Sequence, residues 1–257
     1  AHMRYGTTTI VPTTVTSTVE ELYKTLDNIK IAKNDNSDGP NILGLHLEGP
    51  YLSIEQRGAQ DAKFIKNPDK EEYMDILSKT DDIVRWTVAP ELEGALEFGI
   101  ELKNRGIVAS IGHSNAIYEE ILKAYEHGYT HVTHLYPGMS MVRRINAYRY
   151  SGVVESAYLI DDMTVEIIAD GKHLPESLLK LIYKIKGPDR ICLVTDSIRA
   201  AGMPEGESII GSLDQGQKVI VEDGVAKLPD RTSFAGSVAT ADRLVRTMIR
   251  IADVPLI

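Results

Sequence analysis

The sequence predicts an α/β fold in which parallel strands alternate with helices and close into a (β/α)8 barrel. Short β-branched segments alternate with amphipathic helical segments seven times. Nearly every predicted strand also carries its polar residues at its C-terminal end, where the active sites of barrels lie. An open doubly wound sheet is the alternative, but it would gather such residues at one switch point. Because seven units are one short of eight and the chain opens as if within an element, we expect the first strand upstream of Ala1.

The order of the predicted elements follows from hydrophobic periodicity and from turn residues. Helices are expected at residues 17–32, 69–79, 92–104, 118–126, 152–159, 174–186 and 237–251, and strands at 8–15, 41–47, 83–90, 107–111, 131–136, 163–169 and 190–195. Ser17 is the expected N-cap of the first helix, with Glu20 completing a capping box. Residues 139–150 are expected to form an irregular loop, and residues 218–228 a hairpin that turns at Asp-Gly.

The pattern divides the chain into three segments. Barrel units two to eight are expected over residues 1–205, a β-hairpin insertion over 206–232 and the last barrel helix over 233–257. The first strand and most of a small β-domain would then lie outside this sequence.

The charge and the composition argue against several classes of protein. The formal net charge is -9 and no basic stripe is present, so a nucleic-acid partner is not expected. No run of about 18 apolar residues occurs, so no membrane span is expected. Cys192 is the single cysteine and allows no disulfide framework, which suits a reducing compartment. We therefore expect a cytoplasmic protein.

Four side chains able to do chemistry come at the ends of predicted strands. An apolar run ends on Glu48 and is broken at once by Gly-Pro, and later strands end on His113, His134 and Asp196. In barrel order these are strands 3, 5, 6 and 8, which converge on one mouth and can bring distant residues together. One carboxylate and two imidazoles are a ligand set for a catalytic Zn²⁺ or a similar ion. The sequence therefore predicts a metal site.

The remaining side chains on this face suggest a hydrolytic reaction. A bound metal lowers the pKa of water and polarises a carbonyl group. Asp196 would take the proton of the water and pass it to a leaving amine. His173 lies in a loop beyond the seventh strand and is a candidate hydrogen-bond donor to the substrate. Arg143 and Arg144 could bind a phosphate, although a solvated loop is an equal alternative.

Short motifs around these residues resemble a known family. They are His46-Leu47-Glu48-Gly49-Pro50, Gly112-His113-Ser114-Asn115-Ala116, Thr133-His134-Leu135, Ile168-Ala169-Asp170-Gly171-Lys172-His173, Leu193-Val194-Thr195-Asp196 and Ala235-Gly236-Ser237. In this order they are similar to the N-acetylglucosamine-6-phosphate deacetylases of the amidohydrolase superfamily. The resemblance implies a barrel of the metal-dependent amidohydrolase type, with a small β-domain built from both termini. It also implies that Glu48, His113 and His134 hold the metal. Asp196 would be the general acid–base, and His173 would contact a sugar.

The chain departs from the family at three places. Gly58-Ala59-Gln60 occupies the position of a Gly-Ala-His, and an amide can donate a hydrogen bond but cannot carry charge. Tyr136-Pro137-Gly138 replaces an aromatic residue followed by Asn-Ala, so only backbone contacts transfer there. Arg143, Arg144 and Arg149 compete for the role of the phosphate-binding arginine. The predicted substrate contacts are Ala59, Gln60, Pro137, Gly138, Arg144 and His173.

The activity that the resemblance implies is hydrolysis of the acetamide of N-acetylglucosamine 6-phosphate to glucosamine 6-phosphate and acetate. Zinc is the expected metal, with iron, manganese or cobalt as alternatives, and the number of ions, one or two, stays open. The alternative is an amidohydrolase of the same fold acting on another N-acyl or cyclic amide, such as N-acetylgalactosamine 6-phosphate or an unphosphorylated sugar. A homodimer or a homotetramer is expected.

Overall fold

The computed structural model describes residues 2–256, so Ala1 and Ile257, the outer ends of two predicted segments, lie outside the described residues. The chain forms two compact units. Residues 8–163 form the first, and residues 164–256 form the second together with residues 2–7. The predicted segment boundaries at residues 205 and 232 stay a prediction.

The first unit is built on four parallel strands that neighbour one another in chain order. These strands are β3 (Leu45–Glu48), β4 (Ile83–Val88), β5 (Val108–Ile111) and β6 (Tyr129–Val132). A two-residue parallel pair, β1 (Thr9–Ile10) and β2 (Asn41–Ile42), precedes them. The helices are α1 (Val19–Asp35), α2 (Lys70–Lys79), α3 (Ala95–Asn104), α4 (Tyr118–Glu126) and α5 (Val153–Leu159), with 3-10 turns at Ile54–Gln56 and Ala62–Phe64. Since parallel strands require crossover connections, α2, α3 and α4 provide them between β3 and β6.

An aromatic cluster ties these helices to the sheet. Trp86 of β4 stacks on Tyr51 with ring centroids 5.8 Å apart, and Phe98 of α3 meets Trp86 edge to face at 4.9 Å. Tyr73 of α2 stacks on Phe98 at 4.3 Å. All four rings are buried. The indole N–H of Trp86 also donates a 2.9 Å hydrogen bond to the carbonyl of Gly49, which fixes the turn that follows Glu48.

Several details of the first unit differ from the sequence prediction. Of the predicted strand 8–15 only β1 is present, the predicted strand 41–47 is divided into β2 and β3, and β6 ends at Val132 rather than at residue 136. Helix α1 is capped by Thr18 rather than Ser17, because the Thr18 hydroxyl accepts the amide of Glu21. The predicted loop at residues 139–150 contains an antiparallel hairpin, β7 (Arg143–Ile145) and β8 (Tyr148–Tyr150). Its turn places Asn146 and Ala147 at positive φ, 47° and 72°. Alanine is not a residue that signals such a turn.

The second unit contains a pair of parallel strands and an antiparallel sheet. Strands β9 (Thr164–Ile167) and β10 (Ile191–Leu193) are parallel neighbours. Strands β11 (Gly206–Ile210), β12 (Gln217–Glu222) and β13 (Val225–Lys227) form an antiparallel sheet. Its helices are α6 (Glu176–Lys186) and α7 (Ala241–Arg250), with 3-10 turns at His2–Tyr5 and Pro188–Arg190. The predicted hairpin is therefore present and turns at Asp-Gly, but β11 is a third strand that the sequence did not indicate.

None of the helices in the described part of the chain combines the length and the apolar character needed to cross a membrane.

Candidate metal centre

The predicted metal ligands come from three positions on the sheet of the first unit. Glu48 is the last residue of β3, whereas His113 and His134 lie two residues beyond β5 and β6. Both histidines have positive φ, 47° and 28°. Such a backbone is costly for a residue with a side chain, on the order of 1–3 kcal/mol, and persists where the surrounding structure enforces it. The backbone therefore leaves the strand at each histidine by a turn that hydrophobic periodicity does not reveal.

The three side chains meet in a buried cluster. The Oε1 atom of Glu48 lies 2.7 Å from Nε2 of His113 and 3.3 Å from Nε2 of His134. One ligand atom from each residue falls within 4.8 Å of the others, and all three residues are buried. The two imidazole rings pack edge to face with centroids 5.1 Å apart. This arrangement is the one that the sequence predicted for a metal site.

The hydrogen bonding of His113 indicates what this cluster binds. Its Nδ1 lies 2.8 Å from the carbonyl oxygen of Gln56, which can only accept a hydrogen bond. Nδ1 therefore carries a proton, and in a neutral ring Nε2 presents its lone pair to the carboxylate of Glu48. Two acceptors this close require a cation, either a second proton on the ring or a metal ion. A histidine that binds a metal through one ring nitrogen usually donates a hydrogen bond from the other nitrogen, as Nδ1 of His113 does here. The donor set therefore fits a divalent ion.

The charge of Glu48 is consistent with this conclusion. Burial alone raises the pKa of its carboxyl, but the hydrogen bonds from His113 and His134, together with the electrostatic attraction of these two rings, outweigh burial and hold the pKa well below its usual value. The carboxylate is therefore ionised and buried, a state that a protein tolerates when a cation is close.

A buried chain of hydrogen bonds lies beside these ligands. Arg85 approaches Nδ1 of His46 at 2.7 Å and can only donate, so the opposite nitrogen of His46 carries the proton. That nitrogen lies 2.6 Å from the hydroxyl of Thr87, which lies 2.6 Å from the hydroxyl of Thr133. Thr133 also contacts Ser110 at 2.6 Å. Burial and the charge of Arg85 hold the pKa of His46 well below its usual value, so this ring is neutral and connects Arg85 with the residue before His134.

The predicted substrate-contact loops of the first unit border the cluster. A Cβ on Gly58 would lie 3.5 Å from Cε1 of His113, and the side chain of Gln60 donates to Glu48 at 3.2 Å. Ala59, between them, is half-buried. Pro137 and Gly138 are also half-buried, and a Cβ on Gly138 would lie 2.7 Å from Nδ1 of His113. Both loops are thus placed where a molecule at the cluster could reach them.

The candidate phosphate-binding arginines have different surroundings. Arg143 donates to the side-chain and backbone oxygens of Asn115 at 2.5 and 2.6 Å. Arg144 and Arg149 form a pair across the β7–β8 hairpin, and both are exposed. The structure therefore separates Arg143, which supports the loop after His113, from Arg144, whose guanidinium extends into solvent.

In the second unit, Asp196 follows β10 in a left-handed conformation with φ of 44°. Three hydrogen bonds made by Ser237 hold this turn. The Ser237 amide donates to the Asp196 carbonyl at 2.8 Å, its hydroxyl donates to the Thr195 carbonyl, and its own carbonyl accepts the amide of Ile198 at 3.0 Å. The Ala-Gly-Ser motif therefore shapes the loop of the predicted base. The acid–base role of Asp196 stays a prediction.

His173 is also held in a fixed orientation within the second unit. Its Nδ1 lies 2.8 Å from the carboxylate of Asp170, which also accepts the backbone amides of Lys172 and His173 at 2.8 Å. Burial raises the pKa of Asp170, but these hydrogen bonds outweigh burial and lower it. The His173 ring packs on Phe234 with centroids 4.8 Å apart. An ionised Asp170 keeps the proton on Nδ1 and leaves Nε2 of His173 for a ligand.

Sequence reasoning did not find Thr16, Gln56 or Ser237 as supports of the candidate site. Gln56 acts through its backbone carbonyl, for which a sequence carries no signal. Thr16 acts on Gln60 from 44 residues away. Ser237 was noted in the sequence only as part of the Ala-Gly-Ser motif, and the sequence did not show which residues it would contact.

Comparisons with known proteins show the family of the chain. The sequence matches the Amidohydrolase family over residues 1–250. It is 35% identical to an N-acetylglucosamine-6-phosphate deacetylase of Lysinibacillus sphaericus, over 99% of this chain and 64% of the relative. It is 31% identical to an N-acetylgalactosamine-6-phosphate deacetylase of Shewanella sp. (strain ANA-3), over 96% of this chain and 59% of the relative.

A solved structure gives the same result for the fold. The crystal structure of N-acetylglucosamine-6-phosphate deacetylase from Thermotoga maritima superposes with a TM-score of 0.87 at 36% identity, covering 98% of this chain and 66% of that one. The chain thus spans less than two thirds of the length of the relatives it matches. The predicted fold class, an α/β barrel of the amidohydrolase type, is confirmed by these similarities. The chain belongs to the amidohydrolase family.

Proposed function

We propose that the protein hydrolyses the acetamide of an N-acetylated amino sugar phosphate, with N-acetylglucosamine 6-phosphate as its substrate. The observation that carries this proposal is the buried cluster of Glu48, His113 and His134, in which Nε2 of His113 faces the carboxylate of Glu48 at 2.7 Å. The family match and the names of the relatives support the choice of an amide of an amino sugar phosphate.

In this proposal Glu48, His113 and His134 hold a zinc ion. When bound, zinc supplies a Lewis acid that polarises a carbonyl and lowers the pKa of water. Asp196 accepts a proton from the water that attacks the acetamide carbonyl. As the carbon–nitrogen bond breaks, Asp196 delivers that proton to the nitrogen, and the products are acetate and the free amine. The left-handed turn that Ser237 holds fixes the backbone from which the Asp196 side chain extends.

The predicted substrate contacts divide by chemistry. In this proposal backbone groups of Ala59, Pro137 and Gly138 would contact the substrate, and Gln60 would contact it through its amide. Arg144, which is exposed, would bind the phosphate through its guanidinium. His173, with Nδ1 held by Asp170, would contact the sugar through Nε2. The cytoplasmic location and the homo-oligomeric state stay predictions.

The test is acetate release from N-acetylglucosamine 6-phosphate by the zinc-loaded protein. We expect turnover by the wild type, and an Asp196→Asn variant that binds zinc normally but loses on the order of 10²–10⁴-fold in rate, the usual contribution of general acid–base catalysis. Absence of acetate release from the wild type would refute the proposed substrate. Turnover near the wild-type rate by Asp196→Asn would remove Asp196 from the acid–base role.

A second candidate keeps the reaction and changes the sugar. The similarity to an N-acetylgalactosamine-6-phosphate deacetylase favours that epimer, and the departures at Gln60, Pro137 and Gly138 affect the loops that would contact a sugar. Rates on the two epimers, each with and without phosphate, would distinguish these candidates. A preference for the galacto epimer of at least tenfold in kcat/KM would replace the first candidate with the second, and equal rates without phosphate would remove Arg144 from its role.

A further inference from the structure

We propose that Gln60 is a positioning residue for the metal ligand Glu48, and that Thr16 sets the orientation of the Gln60 amide. This inference rests on the proposed metal site and assigns to the Gln60 side chain a role within the protein. The three residues form a short buried relay, in which Thr16 donates to Gln60 and Gln60 donates to Glu48.

The orientation of the Gln60 amide follows from its partners. The backbone N–H of Thr16 lies 2.9 Å from one end of the amide and can only donate, so the atom at that end must be the oxygen. The Thr16 hydroxyl lies 3.0 Å from the same oxygen. The NH₂ group therefore occupies the other end, 3.2 Å from Oε1 of Glu48. With both ends engaged, the amide cannot flip without losing all three hydrogen bonds.

Gln60 donates its hydrogen bond to the same oxygen of Glu48 that faces the two histidines. Oε1 of Glu48 receives the Gln60 amide at 3.2 Å and faces Nε2 of His113 at 2.7 Å and Nε2 of His134 at 3.3 Å. A donor on this oxygen restricts rotation of the carboxylate about its terminal bond. Glu48, Gln60 and Thr16 are 6%, 9% and 6% exposed, so little solvent competes for these hydrogen bonds. The carboxylate is thereby oriented before any ion binds.

The backbone directly after Glu48 comes close to Thr16. Gly49, directly after Glu48, has φ of 85°, and a Cβ at this position would lie only 2.6 Å from Cγ2 of Thr16. A side chain at residue 49 would push Thr16 away from the loop that carries Gln60. The glycine that ends the strand therefore also allows Thr16 to reach the Gln60 oxygen.

The choice of an amide has an electrostatic consequence. An imidazole at position 60, which the resemblance leads one to expect, could also donate to Glu48, but when protonated it would place a positive charge next to a cation site. A neutral amide donates the same hydrogen bond without that repulsion. Gln60 thus fixes the ligand and leaves the negative charge of Glu48 for the metal.

The experiment compares zinc affinity of metal-free proteins by competition with a chromogenic chelator. Gln60→Met keeps the volume and removes both polar ends, and Gln215→Met is the control for the substitution itself. Gln215 is exposed between β11 and β12 in the second unit and takes no part in the proposed metal site. We expect Gln60→Met to bind zinc about 10–100-fold more weakly than the wild type, the usual cost of losing such a support. Gln215→Met should bind zinc as the wild type does.

A second variant covers the case in which Gln60→Met does not fold. Thr16→Val keeps the backbone N–H and removes one of the two hydrogen bonds to the Gln60 oxygen, so its zinc affinity should fall by about fivefold. The metal-free variants should melt at similar temperatures if the role is positioning. Wild-type affinity in Gln60→Met or, where that variant is unfolded, in Thr16→Val overturns this inference alone. A wild type that binds no zinc overturns the proposed metal site as well.

Discussion

Gly138→Ala tests how the loop after His134 supports His113. Gly138 has φ of 63° and lies next to the hydrogen bond between His113 and Gln56. A Cβ there would lie 2.7 Å from Nδ1 of His113 and 2.9 Å from the carbonyl oxygen of Gln56. These two atoms form the 2.8 Å hydrogen bond that fixes the tautomer of His113. An added methyl group must therefore displace the ring, the loop or both.

The expected magnitude has two parts. A left-handed conformation costs an L-residue about 1–2 kcal/mol relative to glycine. Breaking a buried hydrogen bond and leaving its partner unsatisfied costs about 1–3 kcal/mol more. Gly138→Ala should therefore lower the free energy of unfolding by about 2–5 kcal/mol. It should also weaken zinc binding by about 10–100-fold, because His113 loses the partner that orients it.

Gly106→Ala is the matched control. Gly106 has a similar φ of 71°, and a Cβ there would meet no atom within 4 Å. It should lose only the backbone contribution, about 1–2 kcal/mol, and should bind zinc as the wild type does. Urea denaturation and chelator competition on both variants provide the comparison. Equal losses of stability and unchanged zinc affinity in both variants would refute the reasoning that Gly138 makes room for the His113–Gln56 hydrogen bond.

Three further predictions concern the first unit. Burial, with a smaller contribution from Arg85, lowers the pKa of His131 to about 3. His131 therefore takes up a proton below about pH 6.5 in the unfolded chain but stays neutral in the folded chain. The free energy of unfolding should fall by about 1.4 kcal/mol from pH 8 to pH 5.5. His131→Gln should remove that part of the slope in urea titrations, and an unchanged slope would contradict it. Trp86→Ala should cost about 3–5 kcal/mol in the same assay, because the ring is fully buried and bonds Gly49; a loss below about 1 kcal/mol would show that the cluster repacks. Zinc at 100 times its Kd should stabilise the wild type by about 2.7 kcal/mol in a thermal melt, and Glu48→Gln should lose this gain; a gain retained in the variant would place the ion elsewhere.

The sequence was sufficient to predict which three side chains meet in the buried cluster. An apolar run that ends on a carboxylate and a Gly-Pro break indicated Glu48, and the repeated strand-end pattern indicated His113 and His134. Their shared cluster follows from parallel strands that present their C-terminal ends at one edge. The sequence did not predict that both histidines lie beyond their strands at positive φ, because that conformation is usually adopted by glycine.

The errors in secondary structure have similar local causes. The β7–β8 hairpin was expected to be a loop, since its turn contains Ala147 in a conformation that alanine seldom adopts. The cap of α1 was assigned one residue early, because Ser17 and Thr18 both carry a hydroxyl and only the structure shows that Thr18 accepts the Glu21 amide. Boundaries of this kind depend on one hydrogen bond, whereas the strand–helix alternation depends on many residues.

The roles of supporting residues were less predictable than those of the ligands. Gln60 was expected to contact a substrate, and that prediction stays open, but the structure shows its amide between Thr16 and Glu48. Contacts over 44 residues follow from the packed fold and not from local sequence.

The most direct test of the central claim is a zinc-edge anomalous difference map from crystals of the zinc-loaded protein. The claim is that Glu48, His113 and His134 hold the metal together. We expect a peak about 2.0–2.2 Å from a carboxylate oxygen of Glu48 and from an imidazole nitrogen of each histidine. A map in which zinc lies elsewhere, or in which the cluster of these three side chains has no peak, would contradict it.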